Sequence, residues 1–582
     1  DVLDKSKDPR LLGVAWDYIR FGERIIEKPR AVLDSPPSLF LPAGSRIDYF
    51  IRLVPGTALE IAQVALRGGA SMIIDFQPAG KADKIILAEV VDEGPVHQSL
   101  PGVKKETIAQ VSFKVISPQA SADAVARLVR PALIYTDLLP GEETSSPPDQ
   151  VFLEEFKREV ADKNLIICLI DAARADHFGT YGYTRDTTPN IDKMASESVL
   201  FERAYSAAAY TLASVGSIFT GVYPGSHQVL DESDKLSGSW TTLAEMFQNS
   251  GVETVSIIAN PNASRAFGYG QGFNLENRLF TDQEYKATWE GQADRMVSAA
   301  IDWIEENGAE KIFFLYLHIR EPHEPYFPPE GFKGTFLEVS QEALTADTAT
   351  LRAVNQGETI LTEAQNEQFK ARYDENLSFS DSTVGKLVSY LKDSGLWERS
   401  IFVLLSDHGE GFGEHGKWLH GSTTYNEMVR VPLIIHIPGT EPGRRVDEVV
   451  VSLVDLFPTM VDLYGLEPPE YMLSGESLAE LLAGNSPSDR LLERSVMTWS
   501  ISSRAEIMGH YKLIASDGIR ELFDLSDDRR EMNNLTASHP VIAGYLNSLL
   551  RMNLKSSTAF SPDAADLSKE DLESLRDLGY IH

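Results

Sequence analysis

The sequence predicts an α/β domain preceded by an all-β module, on three observations. From about Asn164 onward, apolar runs of strand length alternate with amphipathic helical stretches, the pattern of a sheet with covered faces. Between about residues 30 and 135 the runs are shorter, alternate only partly and are separated by Gly, Pro and Asp clusters, which points to a β-sandwich. Thr136–Gln150, with Pro140-Gly141, Glu142-Glu143 and Ser145–Pro148, has the composition of a linker. The expected limits are 1–140 for the sandwich and 141–160 for the linker.

Composition narrows the function classes. The chain has 582 residues, 43% of them hydrophobic, with 30 Pro and 41 Gly, so it reads as a globular, loop-rich protein of more than one domain. A net charge of −33 argues against a nucleic-acid partner, because phosphate backbones call for a basic face. No run approaches the roughly 18 consecutive apolar residues of a membrane span, so no transmembrane segment is expected. The chain opens Asp-Val-Leu-Asp-Lys without Met, which fits either a processed or a trimmed form; the processed form goes with an expected periplasmic or extracellular setting. The single Cys168 lies in an apolar run and reads as a small buried hydrophobe.

In the N-terminal region the expected strands are Arg46–Leu53, Leu59–Leu66, Ser71–Phe76, Lys84–Val91, Thr107–Ile116 and Leu128–Tyr135. In the α/β region four apolar runs matter: Asn164–Ile170, Val252–Ala259, Lys311–Ile319 and Ile401–Leu405. Polar residues follow each of them closely: Asp171, then Asn260, then Glu321 and His323, then Asp407 and His408. Open α/β sheets build their sites at the carboxyl ends of strands, so these side chains are expected on one sheet edge.

Three motifs carry the chemistry. Leu169-Ile170-Asp171-Ala172-Ala173-Arg174 places an Asp at the end of a buried strand, where a cation is the usual compensation for its charge. Tyr210-Thr211-Leu212-Ala213-Ser214 through Thr220-Gly221 reads as a short helix with Thr211 at its N-terminal end, where N–H groups and the helix dipole favour anions. Ser406-Asp407-His408-Gly409-Glu410 puts an acid and an imidazole side by side on a strand-end turn, within reach of one metal. Further along, Lys417 and His420 stand in Gly416-Lys417-Trp418-Leu419-His420-Gly421.

Taken together these motifs resemble the sulfatase family, within the alkaline phosphatase superfamily. The likeness also rests on Glu321-Pro322-His323-Glu324-Pro325-Tyr326, Arg430-Val431-Pro432-Leu433, Asp455-Leu456-Phe457-Pro458-Thr459, Tyr511-Lys512-Leu513-Ile514 and Glu521-Leu522-Phe523-Asp524-Leu525. The resemblance implies an alkaline-phosphatase/sulfatase-like mixed sheet covered by helices over 161–480, then a small C-terminal α+β subdomain over 481–582. It also implies hydrolysis of phosphoric or sulfuric esters and an anionic ester substrate, glycan- or lipid-linked.

The departures from the family pattern set the expected chemistry. Sulfatases carry a Cys or Ser, converted to formylglycine, at the position matched by Thr211, with a Pro and an Arg where Ala213 and Val215 stand. Thr cannot supply the aldehyde, but Thr is the nucleophile in superfamily relatives acting on phosphodiesters. The family's paired metal-binding Asp is reduced to Asp171-Ala172, its Asp-Asn pair becomes Asp407-His408, a mid-domain Lys has no counterpart in Ile257–Asn262, and a later Lys is matched by His420. An imidazole in place of an amide favours Zn²⁺ or Mn²⁺ over Ca²⁺.

The expected metal ligands are thus Asp171, Thr211, Asp407 and His408. Thr211, His323 and His420 are the expected catalytic groups, and Asn260, Arg174 and Lys417 the expected substrate contacts. Glu321, His323 and His420 are alternatively the ligands of a second metal, since two-metal sites recur in phosphoryl chemistry. The leading expectation is a metal-dependent phosphodiesterase. The alternatives are a phosphoryl-headgroup transferase, a sulfuric ester hydrolase and a binding pseudoenzyme.

Overall fold

The computed structural model describes residues 19–21, 24–26, 38–42, 45–53, 57–67, 70–81, 83–100, 107–116, 125–135, 147–281, 291–308, 311–337, 344–555, 560–565 and 567–577. In the N-terminal region two antiparallel sheets form. The first has the spatial order Arg24–Ile26, Ile19–Phe21, Ser45–Leu53, Thr107–Ile116, Ser71–Pro78, Ile85–Val90. The second runs Ser38–Pro42, Val125–Tyr135, Thr57–Arg67, Gly94–Ser99. Met72, Ile74 and Phe76, at the two-residue spacing that puts side chains on one face of a strand, share a buried cluster with Ile61, Val64 and Leu128 of the second sheet. Each of the six expected runs coincides with a strand. Gly94–Ser99 escapes a sequence reading because Gly94-Pro95-Val96-His97-Gln98-Ser99 carries no apolar alternation.

The linker expected over 141–160 is corrected in its second half, where Pro147–Val160 is an α-helix. Phe156 and Val160, one turn apart, are buried against the α/β core with Leu153 beside them, so packing rather than the Pro- and Ser-rich lead-in decides the conformation. Residues 136–146 lie outside the described residues.

The α/β domain is built on one eight-stranded mixed sheet. Its order is Leu275–Arg278, Glu253–Ile258, Phe313–Ile319, Asn164–Ile170, Ser400–Leu405, Leu433–His436, Val199–Phe201, Arg445–Val446. The first five strands are mutually parallel, and Leu433–His436 runs antiparallel to both its neighbours. All seven residues of Asn164–Ile170 and all seven of Phe313–Ile319 are buried, which is why these strands read as continuous apolar runs. The one amide inside the first strand is satisfied: Asn164 Nδ2 donates to Ser400 Oγ at 3.3 Å and its Oδ1 accepts from Phe313 N at 3.2 Å. Ile170 pairs with Ile319, Leu169 with Leu405, and Ile258 with His318. The residues that follow these strands therefore emerge on one edge.

The C-terminal subdomain is a four-stranded antiparallel sheet, Ser495–Trp499, Ser503–Met508, Tyr511–Ser516, Ile519–Asp524, with helix Pro540–Lys555 packed on it. That helix also meets the N-terminal sheet. A Cβ on Gly544 would lie 2.3 Å from the Phe50 ring, so only glycine admits this approach. Among the described residues no helix is long and apolar enough to cross a membrane.

Glu506 on the second strand of this sheet is fully buried, and burial pushes its carboxyl up to about 8. Asn553 Nδ2 donates to its Oε1 at 2.7 Å, while its Oε2 has no hydrogen-bond partner. The folded protein holds this proton at pH values where the unfolded chain, with an ordinary glutamate near 4.3, has released it. Stability is therefore expected to fall as pH rises from about 4.3 through about 8. Glu506→Gln should remove much of that slope, so that its melting temperature gains on the parent's more at pH 8 than at pH 5. An unchanged slope in the variant would exclude this origin.

Candidate active site

Asp171 follows strand Asn164–Ile170 directly, and its backbone N–H donates to Ile319 O at 2.9 Å. Its Oδ2 accepts from Asn260 Nδ2 at 2.6 Å and lies 3.2 Å from His318 Nε2, while its Oδ1 has no hydrogen-bond partner. Asp407, two residues past strand Ser400–Leu405, accepts on Oδ1 from His408 N at 3.0 Å and Ala172 N at 3.3 Å. Its Oδ2 is likewise without a hydrogen-bond partner. Both acids are completely buried.

His408 completes the group. Its Nδ1 lies 2.9 Å from Gly409 O, which as an acceptor fixes the proton on Nδ1 and leaves Nε2 as a lone pair. That Nε2 lies 3.5 Å from an oxygen of each acid and 3.1 Å from Thr211 Oγ1. Asp171, Asp407 and His408 each offer a ligand atom within 4.8 Å of the others. Two unpartnered buried carboxylate oxygens and an oriented imidazole lone pair are what a divalent cation requires.

The charges agree with that reading. Burial opposes ionisation of Asp171, but its imidazole surroundings, with His318 Nε2 at hydrogen-bond distance, hold it below the ordinary carboxylate range. Burial and then the neighbouring charge of Asp171 push Asp407 up. Two carboxyls this close cannot both ionise cheaply unless a cation stands between them.

Thr211 is the first residue of helix Thr211–Thr220, which ends at Gly221 with φ 67°, as the spacing of small residues and the closing Gly predict. Tyr210 before it is extended, so the hydroxyl sits at the open N-terminus beside His408 and 3.4 Å from Asn260 Nδ2. Asn260 Oδ1 accepts from Asn262 N at 2.9 Å, which turns its amide group toward Asp171 and Thr211. Asn260 is thereby seen holding the acid and the hydroxyl in place, rather than standing open to a substrate.

A second cluster adjoins the first. His323 and His420 have ring centroids 4.8 Å apart, and His420 lies 4.3 Å from the His408 ring. His420 Nδ1 is 3.2 Å from Glu410 Oε1 and 3.8 Å from Glu324 Oε2. Burial works against charge on His420, but the Glu410 carboxylate outweighs it and lifts the imidazole to about 10. Burial and the Glu410 charge raise Glu324 to about 7, partly offset by His420, and burial drives His323 well down. His323, Glu324 and His420 offer ligand atoms within 4.8 Å of one another, and Glu324 Oε2 and Glu410 Oε2 lack hydrogen-bond partners.

Three expectations need correcting. Glu321 does not join His323 and His420: its Oε1 accepts from Gln292 N at 2.7 Å, capping helix Gln292–Asn307, and Glu324 takes its place. The Arg174 guanidinium is engaged by Asp176, by Glu414 Oε1 at 3.0 Å and by Glu410 O at 2.9 Å, and Arg174 does not line the cleft that opens from Thr211. Lys417 is exposed at the turn of a hairpin joining Gly411–Phe412 to Trp418–Leu419. His318, Glu324 and Glu410 escape the sequence reading. The signal for His318 was a lone imidazole near the end of an otherwise apolar strand.

The turn that carries Asp171 is strained. Ala172 is buried with φ 57°, a left-handed conformation that costs a side-chain-bearing residue roughly 1 kcal/mol or more. Tyr373 on helix Glu363–Asp393 secures it, donating to Ala172 O at 2.8 Å and accepting from Arg174 N at 2.9 Å. Tyr373→Phe leaves both backbone groups unpaired and is expected to weaken metal binding about 10- to 100-fold. A competitive chelator titration checks this, and an unchanged affinity would mean that the turn holds itself.

Thr211 opens onto a cleft of about 520 Å³ that also touches Asn262, Glu324 and His420. A buried acid pair with an imidazole, a hydroxyl at a helix N-terminus and an open cleft on a sheet edge are the parts that suit a hydrolase acting on ester bonds. A family model described as Sulfatase matches residues 163–466, and one described as N-sulphoglucosamine sulphohydrolase, C-terminal, matches 413–555. The chain belongs to the sulfatase family.

An arylsulfatase of Clostridium perfringens is 25% identical over 448 residues, spanning 64% of this chain and 90% of that protein. Human iduronate 2-sulfatase is 25% identical over 385 residues, spanning 53% and 70%. Among solved structures, the phosphonate monoester hydrolase of Agrobacterium radiobacter has a TM-score of 0.56 at 19% identity, covering 68% of this chain and 95% of that one. A structure solved with its substrate D-glucosamine-2-N,6-O-disulfate has a TM-score of 0.57 at 21% identity, covering 68% and 98%. The last two establish the shared fold.

Proposed function

We propose that the protein is a metal-dependent phosphodiesterase in which Thr211 is the nucleophile. The observation that carries this is the placement of Thr211 Oγ1 at a helix N-terminus, 3.1 Å from His408 Nε2 and beside two unpartnered carboxylate oxygens. The donor set of Asp171, Asp407, His408 and the Thr211 hydroxyl mixes nitrogen and oxygen, which favours Zn²⁺ or Mn²⁺ over Ca²⁺. When bound there, such an ion supplies positive charge that favours the ionised Thr hydroxyl and offsets charge on the reacting phosphoryl group.

The residues divide the remaining work. Thr211 Oγ1, its proton released to solvent, forms the bond to phosphorus as the leaving oxygen departs in line with it, giving a phosphothreonine diester. His420, held charged by Glu410, donates a proton to the leaving oxygen. Asn260 keeps Thr211 and Asp171 in register, and the N-terminal N–H groups of helix Thr211–Thr220 receive the phosphoryl oxygens. Water then attacks phosphorus, giving a proton to the now neutral His420, and the Oγ1–P bond breaks to return Thr211. Metal analysis assigns the second cluster: two equivalents place an ion on His323, Glu324 and His420, and one equivalent leaves them to proton transfer. The substrate we favour is an anionic ester, glycan- or lipid-linked, in a periplasmic or extracellular setting.

Turnover of bis-p-nitrophenyl phosphate and p-nitrophenyl sulfate tests the reading. Diester cleavage should exceed sulfate cleavage by at least about a hundredfold in kcat/KM. Preference for the sulfate would assign a sulfuric ester hydrolase instead.

A further inference from the structure

Several buried arginines outside the cleft are matched by carboxylates among the described residues. Arg174 pairs with Asp176 and Glu414, Arg372 with Glu375, and Arg494 with Asp455. The two arginines of the cleft that opens from Thr211, Arg352 and Arg504, make no ion pair among the described residues, although Asp231, Glu232 and Glu324 line the same cleft.

Arg504 is part-buried. Its guanidinium lies 3.5 Å from the Trp499 ring centroid, and its hydrogen bonds go to carbonyls, with Nη1 donating to Ser500 O and to Ser503 O at 2.7 Å. Burial lowers it, to about 10, and no carboxylate contributes to offsetting that. Arg352 stands on helix Thr348–Asn355, which Leu351 and Val354 fix to the cluster around Tyr326, Phe369 and Tyr373. Asn355 Oδ1 adds a bond from Trp418 N at 3.2 Å. Arg352 is half-buried and lines the cleft, and among the described residues its guanidinium takes part in no hydrogen bond or ion pair.

A protein of net charge −33 has acids to spare, so two uncompensated guanidinium groups in one cleft form a site prepared for an anion from outside. Tyr210, Leu230, Leu419, Trp499 and Ile501 supply the apolar and aromatic part of the wall, beside polar residues that include Asn262, Asn355 and Ser500. About 520 Å³ suffices for an organic group the size of a small drug.

We infer that Arg352 and Arg504 form an anion subsite, so that the preferred substrate carries a second anionic group apart from the ester that is cleaved. The inference rests on the proposed phosphodiesterase reading for the position of the scissile ester. Asp231 and Glu232 line the same cleft. Asp231 Oδ1 is engaged by Ser233 N at 2.8 Å and Ser233 Oγ at 2.5 Å, which leaves Glu232 as the acid best placed to attract a cationic group. Its variant therefore distinguishes recognition of an anion from recognition of a cation.

Calorimetric titration of the metal-loaded full chain with benzylphosphonate and its 2-, 3- and 4-carboxy derivatives tests the subsite without turnover. At least one carboxylated ligand should bind tenfold or more tightly than benzylphosphonate. That preference should fall several-fold in Arg352→Ala, survive largely in Arg352→Lys, vanish in Arg352→Ala/Arg504→Ala and shrink at high salt. Glu232→Gln should leave it intact or enlarge it. Arg352→Ala replaces a half-buried helix residue by a strong helix former, so it should fold even if the double variant does not. Equal affinity for all four ligands in the parent protein, or a preference that persists in Arg352→Ala, overturns the subsite. Failure of the phosphodiesterase reading appears separately, as absent diester turnover with the binding preference intact.

Discussion

Thr211→Ala is expected to lower kcat for bis-p-nitrophenyl phosphate by at least about a thousandfold while leaving the protein folded. The substitution removes one hydroxyl and one methyl at the first residue of a helix, a position that tolerates Ala. His408 keeps its bond to Gly409 O, and Asn260 keeps its bonds to Asp171 and Asn262, so no buried group loses its last partner. Stability should therefore change by about 1 kcal/mol or less. Thr211→Ser keeps a hydroxyl in the same place and should retain most of the activity. An alanine variant with near-parental kcat would mean that water attacks directly, or that the chain binds esters and its residual turnover arises elsewhere.

Asp407→Asn should produce the second large effect, and with opposite signs in two assays. In the metal-free protein, burial and the Asp171 charge raise the Asp407 carboxyl, so an amide there relieves a conflict and should leave the melting temperature equal or higher. In the presence of Zn²⁺ or Mn²⁺ the parent should gain several degrees, since a ligand at a hundred times its Kd adds about 2.7 kcal/mol. The variant should lose most of that gain along with about a thousandfold or more of its turnover. Asp171→Asn should behave alike toward the metal but sacrifice more stability, because His318 and Asn260 both bond to the carboxylate. If Asp407→Asn lowered the metal-free melting temperature sharply, Asp407 would be a structural anchor rather than a ligand.

Much of this site was legible in the sequence because it hangs on buried parallel strands. A continuous apolar run that ends abruptly in Asp171 or in Asp407-His408 announces both a strand and what its end delivers, and the register of Ile170 with Ile319 and Leu169 with Leu405 brings those ends together. Thr211 was legible for a related reason: small residues and a closing Gly outline a helix whose first turn must be open.

What stayed hidden depends on side-chain direction. Glu321 and Glu324 stand three residues apart around the same turn, and only the structure shows one capping helix Gln292–Asn307 while the other faces His420. Arg174 looked like a substrate contact because it follows Asp171 closely, yet Asp176 and Glu414 claim its guanidinium. His318 was lost inside its own strand, where six of seven residues are apolar or aromatic and an imidazole is easily taken as core. The helix Pro147–Val160 was hidden by the Pro and Ser residues ahead of it, which mark a loop and leave open where that loop ends.

The most direct test is to quench the metal-loaded enzyme in acid during turnover of bis-p-nitrophenyl phosphate and to map the adduct by mass spectrometry. A p-nitrophenylphosphoryl group on the peptide bearing Thr211, present in the parent and absent from Thr211→Ala, is the predicted result. Rapid turnover with no adduct, or an adduct on any other residue, would contradict the assignment of Thr211 as the nucleophile.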